Sequence, residues 1–393
     1  MAVNRNDQEK CDDGIMTLGL AVIARNAEKT LDKALAPFVG LVDEFAFVLG
    51  GESSDGTKER LCFWEAQLFD SGATGSVAQY EGDLDDDGRI LDFAACRQQA
   101  ADMLGSDWMI AVDTDEEWHG VEQLSDLIAD ADKRGFPLVI FPYRVGSGRL
   151  IRPLLMRRES GRWAAPVHEY WELNDPQAQA MATDVIWIEQ RKEPSADRGG
   201  HNIALAERWL KSNEPTSRIL ANLGKDYLRA ERYQDALDTF KRYLLSYDPK
   251  SGRDDELFMI HYSRGAAFLR LTRFADAIQA ATMALSVRPF GMAWTLMSEA
   301  SLLLAQTSSR AWALADLAVV AADKALASGH QSTTFWSSRD MVTTIPLKLK
   351  IRALAWMGRK REALACAELL CETGDDDAEK MRVELCQKLG VLC

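Results

Sequence analysis

The sequence predicts an α/β sheet domain followed by an all-α helical-repeat domain, and three observations carry that expectation. From about residue 15 to 190, short apolar runs alternate with amphipathic stretches, the pattern of strands covered by helices. Beyond about residue 200 the strand signal stops. In its place "YLRAERYQDALDTFKRYLLSYDP" (227–249) superimposes on "FLRLTRFADAIQAATMALSVRP" (268–289) at an offset of 41 residues, and a third copy, "LAWMGRKREALACAELL" (354–370), keeps the small residue at Ala363.

A chain of 393 residues is too long for one ordinary core, so two domains are expected, 1–195 and 196–393. With 47% hydrophobic and 27% charged residues the composition is that of a globular protein. No apolar run reaches the roughly 20 residues of a membrane span, and the start is polar and acidic where a secretory leader would be basic and then apolar. A cytoplasmic location is therefore expected. The seven cysteines form no Cys-x-x-Cys pair and read as mostly buried thiols. A formal charge of −14 disfavours general affinity for nucleic acid or anionic lipid, leaving only local strips such as "RRESGR".

Taken in order, "TLGLAVIA" (17–24) is a strand and "AEKTLDKALAPFV" has helical spacing. "DEFAFVLG" (43–50) is the next strand, followed by a helix that Ser54 or Asp55 can cap. "GSVAQYEG" is a weaker strand, "DFAACRQQAADMLG" (92–105) a helix and "WMIAVD" a strand, while "FPLVIFPYRV" (136–145) and "DVIWIEQ" (184–190) complete a doubly wound sheet of about six or seven strands. Ligands of such sheets bind beyond the carboxyl ends of strands where strand order reverses. The turns "ARNAE", "GGESSDGT" and "DTDEEW" all leave carboxyl ends and should meet in one crevice.

At the third of these turns Asp113, Asp115 and Glu116 crowd together as the strand leaves the sheet. Something positive is required there. An Asp-x-Asp in this position suits Mg²⁺ or Mn²⁺ shared with a phosphate, because both cations prefer hard oxygen ligands. A solvated acidic loop is the plainer alternative, and the run "DLDDDG" (83–88) reads as such a loop.

Five motifs in order over about 155 residues resemble glycosyltransferase family 2, of GT-A (Rossmann-like) fold, in the bacterial and phage branch with a tetratricopeptide-like tail. They are "LAVIARNAEKTL", "VDEFAFVLGGESSDGTKE", "DFAACRQQA", "DWMIAVDTDEEW" and "RWAAPVHEYWEL". The resemblance implies a nucleotide-sugar donor, UDP-sugar first. It places Arg25 and Asn26 at the nucleotide pocket, Ser53 and Asp55 in the second turn, and Asp92 and Arg97 on base, ribose or diphosphate. Asp113 would face ribose and metal, Asp115 would hold Mn²⁺ or Mg²⁺, and His168 would be a further ligand. Glu169 would be the general base of an inverting transfer, with Glu116 or Glu117 as the alternative. Arg198 and His201 either close over the diphosphate or belong to a linker.

The pattern breaks on the nucleotide side. Gly50 stands where the family has a base-contacting Asp, Ala27 replaces a Glu, and Gln98 an Asn. Glu52 is the candidate substitute carboxylate. The helical tail suggests a macromolecular acceptor, first a protein or peptide side chain, with modified DNA bases or glycans behind it, and a surface for a homo-oligomer. The competing function is a non-catalytic scaffold with a vestigial transferase domain. A nucleotidyltransferase would need a Gly-rich basic loop that "ARNAEKT" is not. The tail tryptophans Trp294, Trp312, Trp336 and Trp356 are expected in the core.

Overall fold

The computed structural model describes residues 16–146, 148–190, 198–251, 253–309, 311–329 and 337–391. The chain divides into two compact units, Met1–Tyr143 with Arg152–Lys192, and Arg144–Ile151 with Glu193–Cys393.

The first unit is α/β, as expected. Its elements are β1 (Leu18–Ala24), α1 (Leu31–Leu35), β2 (Glu44–Leu49), α2 (Thr57–Asp70), β3 (Thr74–Gln79), α3 (Phe93–Asp102), β4 (Trp108–Asp113), β5 (Glu116–His119), α4 (Leu124–Lys133), β6 (Leu138–Val145), β7 (Gly148–Arg157), β8 (Gly161–Ala164), β9 (Tyr170–Leu173), β10 (Ala180–Ala182) and β11 (Trp187–Gln190). The sheet runs β3-β2-β1-β4-β7-β6-β11-β5, with β10 beside β6 and β8–β9 as a separate hairpin. Strands β1, β2 and β4 are apolar almost throughout because both faces of this parallel part are covered. At the edge, β3 carries Thr-Gly-Ser-Val-Ala-Gln, exposed except for the half-buried Val77 and Ala78.

Chain order reverses between β1 and β4, which pair in parallel with Ile23 beside Asp113. The carboxyl ends of these two strands are therefore the switch point, where open sheets of this kind bind their ligands.

Several elements differ from expectation. The helix expected over 27–39 is helical only from Leu31, and Pro37 turns its end into a single 3₁₀ turn, Ala36–Phe38. Strand β7 was hidden because Pro153 interrupts its alternation. Strand β5 lies within the acidic stretch read as a turn and pairs antiparallel with β11, setting Glu116 against Gln190.

The second unit is all-α, in ten helices among the described residues: α5 (Arg198–Trp209), α6 (Ser217–Arg229), α7 (Tyr233–Ser246), α8 (Asp254–Arg270), α9 (Phe274–Val287), α10 (Gly291–Ala305), α11 (Ala311–Ser328), α12 (Thr344–Trp356), α13 (Lys360–Cys371) and α14 (Ala378–Leu389). The sequence repeat is visible as a repeated turn. In each copy a left-handed residue, Glu231, Thr272 or Gly358, ends the first helix. The amide of the next residue then reaches back to a carbonyl five residues earlier: Arg232 to Tyr227 at 2.8 Å, Arg273 to Phe268 and Arg359 to Leu354, both at 2.9 Å. That arginine pairs forward with Asp235, Asp276 or Glu362, each at 2.7 Å. The small residues Ala236, Ala277 and Ala363 are all fully buried on the second helix.

The stretch around His201, expected to be either a diphosphate clamp or a linker, forms helix α5. The tryptophans depart from the core expectation: Trp312 is 62% and Trp356 40% exposed, their ring centroids 6.0 Å apart, because small residues such as Ala315, Ala318 and Ala322 fill the core face of α11. Trp294 is half-buried and Trp336 lies outside the described residues. Of the cysteines, Cys96 and Cys366 are buried free thiols, while Cys62 is exposed.

Left-handed backbone costs a side chain with a Cβ about 1 kcal/mol or more, most for a β-branched residue. Thr272→Gly is therefore expected to stabilise the chain by about 1 kcal/mol, and Gly358→Ala to destabilise it by a similar amount. Thermal melts of the two variants check this; a lower melting temperature for Thr272→Gly would show that the threonine contributes something its φ of 56° does not reveal.

Candidate functional site

Arginine at 97 is the hub of the switch point. It lies on α3, where a glutamate or lysine would serve as well for helix formation, yet it is only 6% exposed. Its Nε donates to Glu169 Oε1 at 2.7 Å, its Nη2 to Asp113 Oδ1, and its guanidinium lies 5.1 Å from the Trp163 ring. Three separate parts of the sequence, the helix after residue 92, the end of β4 and the loop before β9, are thereby gathered on one cation.

A second arginine was not anticipated. The antiparallel register Trp108↔Arg157, Met109↔Met156, Ile110↔Leu155, continued along both strands, brings Asp113 opposite Arg152. Arg152 Nη1 sits 3.2 Å from Asp113 Oδ2 and 3.1 Å from Glu116 Oε1, with the Tyr143 ring 4.9 Å from the guanidinium. Glu116 is 1% exposed, and its Oε2 accepts from the Asp113 backbone N–H at 3.0 Å and from Trp118 Nε1 at 3.1 Å. The positive charge that the acidic stretch requires is thus supplied from within the chain. The signal for Arg152 was the strand β7 itself, unreadable across Pro153.

The environments of the two carboxyls push them apart. Desolvation works to raise Asp113, but the charges of Arg97 and Arg152 outweigh it and hold this carboxyl well below its ordinary 3.8. Burial, with the Asp113 charge beside it, pushes Glu116 up to about 8, against the opposing effect of Arg152.

The nucleotide-side residues knit loops together. Asn26, at φ 51°, accepts from the Ser54 N–H at 2.8 Å, and its own N–H donates to Ser53 Oγ at 3.2 Å. Arg25 donates to the Glu52 carbonyl at 3.1 Å and the Asp87 carbonyl at 2.8 Å. Asp55 accepts from the N–H groups of Glu28 and Thr57 just ahead of α2, whose N-cap is Gly56 with no side-chain cap, so neither Ser54 nor Asp55 caps it. Asp92 is the N-cap of α3, accepting from the Ala95 N–H at 2.9 Å. The Asp55 and Asp92 side chains are therefore committed to local structure. Glu52 is exposed, and its carbonyl is the part engaged.

Gly50, which stands where the resemblance expects an Asp, and its neighbour Gly51 both lie where a side chain would be crowded. A Cβ on Gly50 would meet Ile90 Cδ1 at 2.4 Å, and one on Gly51 would meet the Gly88 carbonyl oxygen at 2.1 Å. The acidic turn 83–88, expected to be solvated, packs directly on the end of β2. Gln98, another departure, accepts from the Trp163 N–H at 2.9 Å and so ties β8 to α3.

Residues 165–169 are strained as well as motif-bearing: Ala165 has φ 73° and His168 φ 53°. Glu169 gives one oxygen to Arg97, and no hydrogen bond from the described residues reaches its Oε2. The expected metal set of Asp113, Asp115 and His168 does not come together as a ligand group. Both Asp113 oxygens accept from arginine, Asp115 Oδ2 accepts from Gln190 Nε2 at 3.2 Å, and among the described residues no three His, Cys, Asp or Glu side chains are disposed to hold a metal. Arg198 and His201 fall in α5 of the second unit.

Together these features define a class: an α/β domain with a buried arginine-carboxylate cluster at its switch point, in one chain with a helical-repeat array. No family model and no curated protein matches the sequence. Solved structures similar to it include TarS of S. aureus, at 12% identity and a TM-score of 0.38, covering 65% of this chain. The match spans 54% of the TarS chain, about half its length. A mannosyltransferase, PcManGT from Pyrobaculum calidifontis, in complex with GDP-Man and Mn²⁺, matches at 12% identity and a TM-score of 0.37, over 70% of this chain and 88% of its own. The thermophilic tetratricopeptide protein TTC0263 of Thermus thermophilus matches at 21% identity and a TM-score of 0.33, over 49% of this chain and 92% of its own.

Removing one partner from a buried ion pair leaves the others uncompensated, at a cost of about 3 to 5 kcal/mol. Arg97→Ala is expected to lose stability of that order in urea unfolding at neutral pH. The pH dependence has a defined sign. Asp113 has a depressed folded pKa, so the stability it contributes is present above 3.8 and is lost as pH falls toward the folded value. Without Arg97 this loss should begin at higher pH, as read by melting temperature between about pH 7 and pH 3. An unchanged acid limb would show that Arg97 does not hold Asp113.

Proposed function

We propose that this chain is a glycosyltransferase that moves a sugar from a nucleotide-sugar donor, UDP-sugar first, to a macromolecular acceptor with inversion at the sugar carbon. The observation that carries the reading is the Arg97 hub, which brings Asp113 and Glu169 from two distant motifs to one cation at a strand switch point. An open sheet binds its ligands in that crevice. A departing nucleoside diphosphate is an anion, and Arg152, the second cation at this strand end, is 29% exposed at its side chain.

Glu169 is assigned as the base. Its Oε1 is fixed by Arg97, which orients the carboxylate, and Oε2 is the atom offered to the acceptor proton. Glu116 is too deeply buried for that role. Asn26, Ser53 and the Arg25–Glu52 contact frame the donor side of the crevice. The acceptor is proposed to be a protein or peptide segment held by the helical repeats, since such arrays offer extended surfaces and the charge of −14 opposes DNA.

Binding by a panel of UDP, GDP, TDP and CDP sugars, followed by donor hydrolysis or transfer, tests this reading. One donor class is expected to raise the melting temperature. Glu169→Gln should bind that donor within a few-fold of the wild type and lose about 10²-fold or more in turnover. A folded protein that binds no donor would leave the helical repeats as the functional part, a scaffold beside an inactive sheet domain.

A further inference from the structure

The acidic end of β4 is neutralised by the protein itself. Of the four carboxylate oxygens of Asp113 and Glu116, each accepts from a protein donor: Asp113 Oδ1 from Arg97, Asp113 Oδ2 and Glu116 Oε1 from Arg152, and Glu116 Oε2 from the Asp113 N–H and the Trp118 indole. A divalent cation would have to displace a guanidinium held by strand register and stacked on an aromatic ring, and would then leave that guanidinium without its partners.

Arg152 is also disposed to do more than neutralise. Nη1 alone makes both carboxylate contacts. The side chain remains 29% exposed where Glu116 is fully covered, and among the described residues Nε and Nη2 make no hydrogen bond. A planar fork of N–H donors backed by two carboxylates is a site for a phosphate or diphosphate oxygen pair.

We infer that Arg152 is the resident cation of this crevice, standing where a divalent metal would otherwise be, and that it binds the diphosphate of the donor directly. The first half rests on the geometry alone; the second rests on the nucleotide-sugar reading above. Removal of the guanidinium should therefore expose a pair of carboxylates and create a metal site that the wild type lacks.

The test has two readouts on the full-length chain. In the first, Mn²⁺ is titrated with no nucleotide present and free Mn²⁺ is followed by electron paramagnetic resonance. The wild type is expected to leave Mn²⁺ free at submillimolar concentration, and Arg152→Ala to take up about one equivalent, lost again in Arg152→Ala/Asp113→Asn. Arg152→Lys, which keeps a charge but cannot fork, guards against a misfolded alanine variant and should still exclude Mn²⁺. In the second, UDP binding is measured by calorimetry in EDTA. The wild type should bind equally with and without Mn²⁺, while Arg152→Lys should weaken binding about tenfold in EDTA.

Uptake of Mn²⁺ by the wild type, or by Arg152→Lys as readily as by Arg152→Ala, would overturn the inference, as would wild-type UDP binding that appears only with Mn²⁺. Failure of the wild type to bind any nucleoside diphosphate would sink the nucleotide reading, while Mn²⁺ exclusion by the wild type and its reversal in Arg152→Ala would still uphold Arg152 as the resident cation.

Discussion

A buried guanidinium bridging two carboxylates from distant parts of the chain is the constraint on which the first unit is organised. Arg97 cannot be neutral, and at 6% exposure it cannot be solvated either, so Asp113 and Glu169 must come to it. Helix α3 is placed accordingly. Its first turn is capped by Asp92, the Phe93 N–H reaches the Pro166 carbonyl at 2.9 Å, and Gln98 holds the Trp163 backbone. Those contacts fix the loop before β9, and with it His168 and Glu169, against the end of β4. Buried ion pairs of this kind give little net stability compared with apolar packing, and their value is in specifying one arrangement.

At the switch point the carboxyl oxygens of Asp113 and Glu116 are taken up by donors of the protein itself. Asp113, Glu116 and Glu169 meet two arginines, Arg97 buried and Arg152 29% exposed at its side chain. The helical unit follows a different rule. Its repeats are joined by left-handed turns whose arginine both closes the turn and pairs with an acid three residues on. The two left-handed side chains, Glu231 and Thr272, are tolerated because packing around Ala236 and Ala277 over-determines the turn.

The apolar runs of β1, β2 and β4 were legible because strands covered on both faces must be continuously apolar, and the repeat was legible because helix pairs of similar length bury similar positions. Strand β7 was not legible, since Pro153 disguises it, and β5 was not, since its carboxylates look like a turn until β11 pairs with it. Nor was the reason for Gly50 and Gly51 visible: it lies in Ile90 and Gly88, close in space but about forty residues away in the chain.

By itself, then, the sequence determined the order of elements, the division between sheet and helix, and which short stretches bear carboxylates, histidine and arginine at strand ends. Those properties depend on neighbours within a turn or a strand. The tertiary structure alone decided what those groups do to one another. Whether Asp113 meets a metal or an arginine depends on the register of β4 against β7, and a shift of one residue would turn Arg152 to the other face of the sheet. Whether Arg97 serves α3 or the site depends on burial. Both are long-range consequences of packing, where a charge excluded from water must take the partners that the fold brings within about 3 Å.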